Sequence, residues 1–218
     1  MNLPSTGATH VGLLPAGQGQ PYAAYEIRSL VTDAERAEAE ALIIDRLDWL
    51  ARRYRTRPDA AEMIPPLFRE AALPTGLFDD GVLICCLLVD RDPDVRCWGT
   101  ASCGPGLLLR HVYSLPGRAS AGAVRMLTLW SSDVAARMGW PWVRAEALLA
   151  AGADTPAELI AHLSRYAANL GWTSLGTGRA VSGERVVRLH LRAELHENLS
   201  AVVRSTIHIP DGFERSAP

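Results

Sequence analysis

The chain has no lysine; all 22 of its basic side chains are arginine. A guanidinium stays protonated and cannot act as an amine nucleophile. A Schiff-base enzyme, a P-loop nucleotide hydrolase with its phosphate-gripping lysine, a protein kinase and a serine–lysine acyl enzyme are therefore excluded, as is acetylation of the chain's own lysines. Long apolar runs are lacking too. The most hydrophobic stretch, Val82 to Val89, ends at Asp90 and Arg91, well short of the roughly 20 residues of a spanning helix, so no membrane partner is expected. Met1 to Pro21 has neither the basic start nor the apolar segment of a secretory signal. It reads as a flexible leader, residues 1–21, of a cytoplasmic protein.

Cysteines are few. Of the four, Cys85 and Cys86 are adjacent in the apolar run, where strand geometry sends neighbouring side chains to opposite faces, so reduced, buried thiols are expected. Cys97 and Cys103 lack the spacing of a zinc knuckle, and no metal is expected. A net charge of -2 supplies no global field for polyanions. The local run Arg52, Arg53, Arg55 and Arg57 suits a helix C-terminus, whose dipole favours cations, better than a nucleic-acid partner.

What is present is the profile of one globular domain: 48% apolar and 21% charged residues in 218 positions. Tyr25 to Leu30 alternates as a strand. Thr32 and Glu35 have capping-box spacing, and Ile43, Leu47, Leu50 and Tyr54 form one stripe of a long first helix. Asp59 to Ala72 is helical in composition but bent at Pro65 and Pro66. Phe78 to Val89 contains an apolar strand that turns at Arg91 to Asp94 and returns over Val95 to Ser102.

Leu107 to Leu115 is a further strand. Ala123, Leu127, Trp130, Val134 and Met138 form the stripe of the next helix, which stops near Gly139, and Trp142 to Leu148 follows as a strand. Thr155 and Glu158 repeat the capping-box spacing, with Leu159, Leu163, Tyr166 and Leu170 as the apolar face. Trp172 to Leu175 and Arg185 to Ala193 close the sheet. Beyond Glu194 the pattern fades. The expected fold is α/β (α+β), a mixed, largely antiparallel twisted sheet flanked by helices. The core domain spans residues 22–195, with residues 196–218 as a C-terminal extension.

The chemically suggestive junction lies between Val112 and Leu127. A strand runs into a loop of Gly, Ala and Ser and then a helix, so backbone N–H groups and the helix dipole converge where an anion could sit. Small residues also let any strand turn tightly into any helix. The order of elements from Tyr25 to Leu195 resembles the GNAT family of N-acetyltransferases, and so does this loop. There the family reads Gln or Arg, two residues, Gly or Ala, one residue, Gly or Ala, and Arg118, Ala121 and Ala123 have that spacing.

The resemblance implies acetyl-CoA, or another acyl-CoA, as co-substrate. The backbone N–H groups of Arg118, Ala119, Ser120, Ala121, Gly122, Ala123 and Val124 would hold its pyrophosphate, and the Arg118 guanidinium would add a contact. Val112 to Pro116 would pair with pantetheine, and an N–H near Ser114 and Leu115 would face the thioester oxygen. It also implies two strands that diverge near the centre of the sheet to admit the pantetheine. Tyr166 stands where the family tends to place a proton donor for the leaving thiolate, although it precedes Gly171 by five residues, one more than usual. The strand position that often carries Glu falls near Leu108, which cannot accept a proton.

In that family the strand after the phosphate-binding helix borders the thioester cleft, so the resemblance makes Glu146 the first candidate for the general base, with His111 and Tyr113 on the neighbouring strand next. Each has a plainer reading, such as an arginine partner for Glu146 or a satisfied sheet-face histidine for His111. Trp49 and Trp98 suit either a core or an acceptor pocket. Gly176-Thr177-Gly178 reads as a bend between strands, and Ser131-Ser132-Asp133, without a nearby His, as ordinary helix surface.

The expected function is direct transfer of an acetyl or other acyl group from coenzyme A to an amine of a small molecule or protein. The acceptor would sit between the first two helices and the closing strands, under a lid built from the bent Asp59 to Ala72 helix and the loop to Phe78. A homodimer is a family-level expectation. The rival is a catalytically degenerate domain on the same fold that binds acyl-CoA or a partner protein without turnover.

Overall fold

The computed structural model describes residues 24–54, 73–90, 98, 104–149, 157–180 and 183–207. In chain order the elements are β1 (Tyr25–Ser29), α1 (Asp33–Tyr54), β2 (Leu73–Asp79), β3 (Val82–Asp90), β4 (Gly106–Ser114), α2 (Arg118–Arg137), β5 (Trp142–Leu148), α3 (Ala157–Ala168), β6 (Thr173–Arg179) and β7 (Arg185–Arg192). A 3-10 turn at Leu199–Ala201 leads into the short β8 (Val203–Ser205).

The strands form one mixed sheet in the order β6-β7-β5-β4-β3-β2-β1-β8. Only β4 with β5 and β1 with β8 run parallel; every other neighbouring pair is antiparallel. The expected mixed, largely antiparallel sheet with flanking helices is the observed one. The sheet also reaches into the segment that the sequence reading sets apart as an extension, through β8.

Local chemistry explains the main elements. At the start of α1 the Glu35 N–H donates to Thr32 Oγ1 at 3.2 Å, while Glu35 Oε2 accepts from the N–H groups of Thr32 at 2.9 Å and Val31 at 3.0 Å. The capping box thus satisfies the donors that a helix start leaves open. Arg28 on β1 also pairs with Glu35, tying the helix to the sheet. The α1 stripe buries Ala39, Leu42, Ile43 and Leu47 against Phe78, Leu83, Cys86, Leu88 and Tyr113. On the opposite face α2 sets Ala123, Leu127 and Trp130 against Leu107, Leu109, Val143 and Ala145, and α3 packs into the same layer through Ala167. Cys85 belongs to the α2 layer and Cys86 to the α1 layer, as strand alternation requires. Burial pushes the Cys86 thiol up to about 12 and raises Cys85 as well, so both stay protonated and inert.

Several sequence readings need correction or lie outside the described residues. The tight hairpin joins β2 to β3 at Asp80 and Gly81, whose φ values of 48 and 79 are the left-handed pair that a two-residue hairpin needs. The antiparallel partners of β3 are therefore β2 and β4, whereas the proposed return strand Val95 to Ser102 lies outside the described residues except for Trp98. So do Asp59 to Ala72 and the Thr155-Pro156 cap. Gly176-Thr177-Gly178 is no bend between strands; it lies within β6, where Ser174 pairs with Leu189 and Thr177 with Val187, so β6 carries one extra residue there.

Ser131, Ser132 and Asp133 are not helix surface but are buried. Ser132 Oγ accepts from the Glu194 N–H at 2.9 Å, and Asp133 accepts from the His196 N–H at 2.8 Å and from Arg137 Nε at 2.6 Å. These bonds fasten the segment after β7 onto α2. Burial works to raise the Asp133 carboxyl, but the bonds from Arg137 and His196 prevail and hold it below its ordinary range. Asp133→Ala should cost about 1–3 kcal/mol in urea denaturation at neutral pH. Because the folded value is depressed, that contribution is present above the ordinary carboxylate range and lost as pH falls through the depressed one. The gap between wild type and variant should close in strong acid.

Candidate functional site

The site starts from a fork in the sheet. Strands β4 and β5 pair in parallel from Gly106 with Trp142 to Leu109 with Ala145, and no further pair joins them. Gly106 permits the close start, since a Cβ there would lie 2.5 Å from Trp142 O and 2.7 Å from an Arg144 guanidinium nitrogen. What turns β4 away lies on its other edge. Cys86 pairs with Tyr113 and Leu88 with Arg110, so β4 spends one residue more than β3 over this stretch. His111 sits in the bulge at φ 50, a left-handed conformation that a non-glycine residue adopts only when its surroundings impose it. Past the fork, β4 runs through Tyr113 and the buried Ser114 to Gly117, the N-cap of α2.

Two features of the α2 start suit an anion. Gly117 gives no side-chain capping bond, and the first turn contains no acidic residue. The opening N–H groups of the helix and the positive end of its dipole are therefore not matched by a local carboxylate. The backbone of Arg118 to Val124 forms this turn, as the sequence reading placed it; the Arg118, Ala119, Ser120 and Ala121 side chains lie outside the described residues.

The other half of the site is a row of charges on the α1 face of the sheet. Along β5, Val143 and Ala145 face α2, so Arg144, Glu146 and Leu148 face the other way, and Leu148 packs on the α1 cluster. Helix α1 packs on β3 and β4, leaving the charges of β5 and β7 beside it. Glu146 is the first β5 residue past the fork. It is 4% exposed, accepts a hydrogen bond from Trp98 Nε1 at 3.3 Å and makes no ion pair among the described residues. Desolvation raises its carboxyl above the ordinary range, opposed by the charge of Arg110, the Trp98 bond and the charge of Arg188.

Its surroundings are basic. Arg110 on β4 is engaged by Asp90 at 2.9 Å, the fully buried Arg144 donates to Gly104 O at 3.1 Å, and Arg188 lies over the Trp98 ring. His190 stacks on Trp142 at 4.8 Å, and burial, with Arg144 beside it, lowers its pKa.

The remaining candidates are placed differently. His111 is buried at the bulge. Tyr113 is buried in the α1 layer, its hydroxyl has no hydrogen-bond partner among the described residues, and desolvation pushes it far above its ordinary value. A phenol held protonated in this way cannot accept a proton at neutral pH. Tyr166 on α3 is half-buried. Desolvation raises its hydroxyl, Arg46 of α1 draws it back and Cys85 of β3 adds to the rise. Helix α3 rests on β6 and β7. Leu108, opposite Arg144, is buried.

Sequence reasoning missed Arg110, Arg144 and Arg188. The available signal was Arg144 and Glu146 alternating on one face of a strand otherwise suited to full burial, because two charges in that pattern need a polar surface to face.

No family model matches the chain, and no curated protein matches it. Solved structures do. A GNAT-family acetyltransferase from Streptococcus agalactiae superposes with a TM-score of 0.53 at 15% identity, covering 78% of this chain and 96% of that one. A GNAT-family protein from Desulfovibrio desulfuricans superposes with a TM-score of 0.50 at 14% identity, covering 78% and 100%. This chain therefore has the GNAT fold.

Glu146 generates a prediction about stability. A carboxyl raised in the folded state stabilises fully below its unfolded value and loses that contribution as pH rises through the folded value. Glu146→Gln should therefore gain thermal stability relative to wild type as pH climbs above the carboxylate range, and the difference should shrink in acid, as followed by melting temperature across pH.

Proposed function

We propose that the protein is an N-acyltransferase that uses a coenzyme A thioester, acetyl-CoA first among the candidates, and passes the acyl group directly to an amine. The observation that carries this reading is Glu146: a buried carboxylate without an ion pair among the described residues, standing at the first β5 position past the fork of a GNAT fold. A non-catalytic domain has no need of such a group, because burying a carboxylate without a partner costs stability. The uncapped start of α2 at the other end of the same opening supports a pyrophosphate site on the backbone of Arg118 to Val124.

When bound, the thioester supplies an activated acyl carbonyl. Glu146 takes the proton from the attacking amine, its raised pKa making it a better acceptor than an exposed carboxylate. A backbone N–H near Ser114, on the stretch of β4 beyond its last pair with β5, faces the oxygen on which charge develops. Tyr166 returns a proton to the departing sulfur, and the neighbouring Arg46 charge favours the phenolate that remains. The Trp98 indole and the arginines beside it form the wall on which the acceptor rests, and Trp98 orients the Glu146 carboxylate.

Calorimetric titration with acetyl-CoA should give saturable binding that weakens about 10-fold or more in Arg118→Glu, which sets a negative charge at the helix start. An absence of binding would overturn the acyltransferase reading. With an amine acceptor found by screening, Glu146→Gln should lower kcat/KM by roughly 10²- to 10⁴-fold while leaving acetyl-CoA affinity unchanged.

A further inference from the structure

Glu146 and Arg188 are direct cross-strand partners on β5 and β7, and both side chains project from the α1 face. Opposite charges placed in this way ordinarily meet. Here they do not. The Arg188 guanidinium turns the other way, donates from Nη2 to Arg179 O at 2.7 Å, and lies with its central carbon 5.7 Å from the centre of the Trp98 ring. Its Nε is buried without a hydrogen bond among the described residues. An arginine has given up a carboxylate for a backbone carbonyl and the face of an indole.

The room for this pose comes from β6. A Cβ at Gly178 would fall 2.4 Å from the central carbon of the Arg188 guanidinium and 2.6 Å from its Nε. The guanidinium thus occupies the space that any other residue at 178 would fill. The register of β6 puts the glycine there. Thr173 pairs with His190 and Ser174 with Leu189, but after the extra residue at the bulge it is Gly178, not Thr177, that pairs with Val186 and shares the face of Arg188. Gly176, at φ 91, supplies the left-handed backbone within that bulge. Without the extra residue, Thr177 would stand beneath Arg188.

We infer that Gly178 is a positioning residue for Glu146: the notch it leaves holds the Arg188 guanidinium over β6, out of ion-pair reach of the carboxylate, and so keeps that carboxylate available as a proton acceptor. This rests on the role proposed for Glu146. The other groups that bear on Glu146 are Arg110 on β4, itself engaged by Asp90 of β3, Glu184 before β7, and the Trp98 indole. Arg144 and His190 lie one step along the same face on β5 and β7, and the Tyr113 hydroxyl on β4 stays neutral. None of them stands opposite Glu146 in the ladder. Arg188 alone does, and its direction decides whether the carboxylate is neutralised.

The test is the titration of the Glu146 carboxyl in the full chain, followed by carbon-13 NMR and assigned by its disappearance in Glu146→Gln. Gly178→Ala, which drives the guanidinium back toward β5, should lower the midpoint by about one pH unit or more, as an opposite charge at close range does. The acid limb of the kcat/KM profile should move with it. Gly178→Ala combined with Arg188→Met should restore the midpoint. A midpoint unmoved by Gly178→Ala, or moved equally when Arg188 is Met, would overturn the inference.

Arg188→Met alone gives an independent answer should Gly178→Ala fold poorly. It should raise the midpoint by much less than one unit, because the guanidinium is already turned away; a larger rise would mean that Arg188 pairs with Glu146 and the notch holds nothing apart. Acyl transfer unaffected by Glu146→Gln would instead sink the proposed role of Glu146, and the titrations would still report on the notch.

Discussion

Strands β4 and β5 cannot stay paired beyond Leu109 and Ala145, and the rest of the site is arranged around that constraint. On one edge β4 is committed to β3, and the residue it gains at His111 bends it away from β5. On the other side β5 remains zipped to β7 along its whole length, to Leu148 with Val186. Two well-formed antiparallel ladders therefore pull apart a parallel one. The resulting gap is held open by the sheet itself, so it requires no flexible loop and no displaced helix.

The gap also sorts the chemistry by distance along the chain. At the far end of β4 the strand passes through Ser114 into Gly117 and the uncapped start of α2, a place made of backbone N–H groups. At the fork stands Glu146, a side chain whose ionisation is set by burial. A helix start whose N–H groups meet no local carboxylate and a buried carboxyl with a raised pKa thus arise by two different devices, helix geometry and desolvation. The arginines around Glu146 moderate its desolvation without neutralising it, because Arg110 is engaged by Asp90 and Arg188 is directed over Trp98. Buried charge of this kind is costly to folding, and it is concentrated on a single sheet face.

Much of this was legible in the chain. Capping-box spacing located α1 because its bonds are local, the apolar stripes identified the buried faces of α1 and α2, and alternation assigned Cys85 and Cys86 to opposite layers. The strand-loop-helix junction at Arg118 was readable from its small residues, whereas Glu146 was singled out only through the resemblance to the GNAT family. The hairpin at Asp80-Gly81 was also available, as a dipeptide of known turn chemistry, but the continuous apolar run that follows drew the strand boundary away from it. Ser131, Ser132 and Asp133 were misjudged because polar residues within a helix ordinarily face water. Only the segment from Glu194 to His196, brought over α2 by the chain path, gives them partners.

What the sequence determined by itself is therefore the set of elements, their buried faces and the kind of chemistry on offer, since periodicity, capping and turn residues act within a few positions of one another. Tertiary structure decided which strands meet and where they part. It also decided that Glu146 and Arg188 stand opposite yet remain unpaired, and that a glycine 10 positions before Arg188 makes room for its side chain. Those outcomes follow from register, and a single extra residue in β4 or β6 changes register for everything beyond it. No local pattern encodes where such a residue will be absorbed, because that is settled by the strand on the other side.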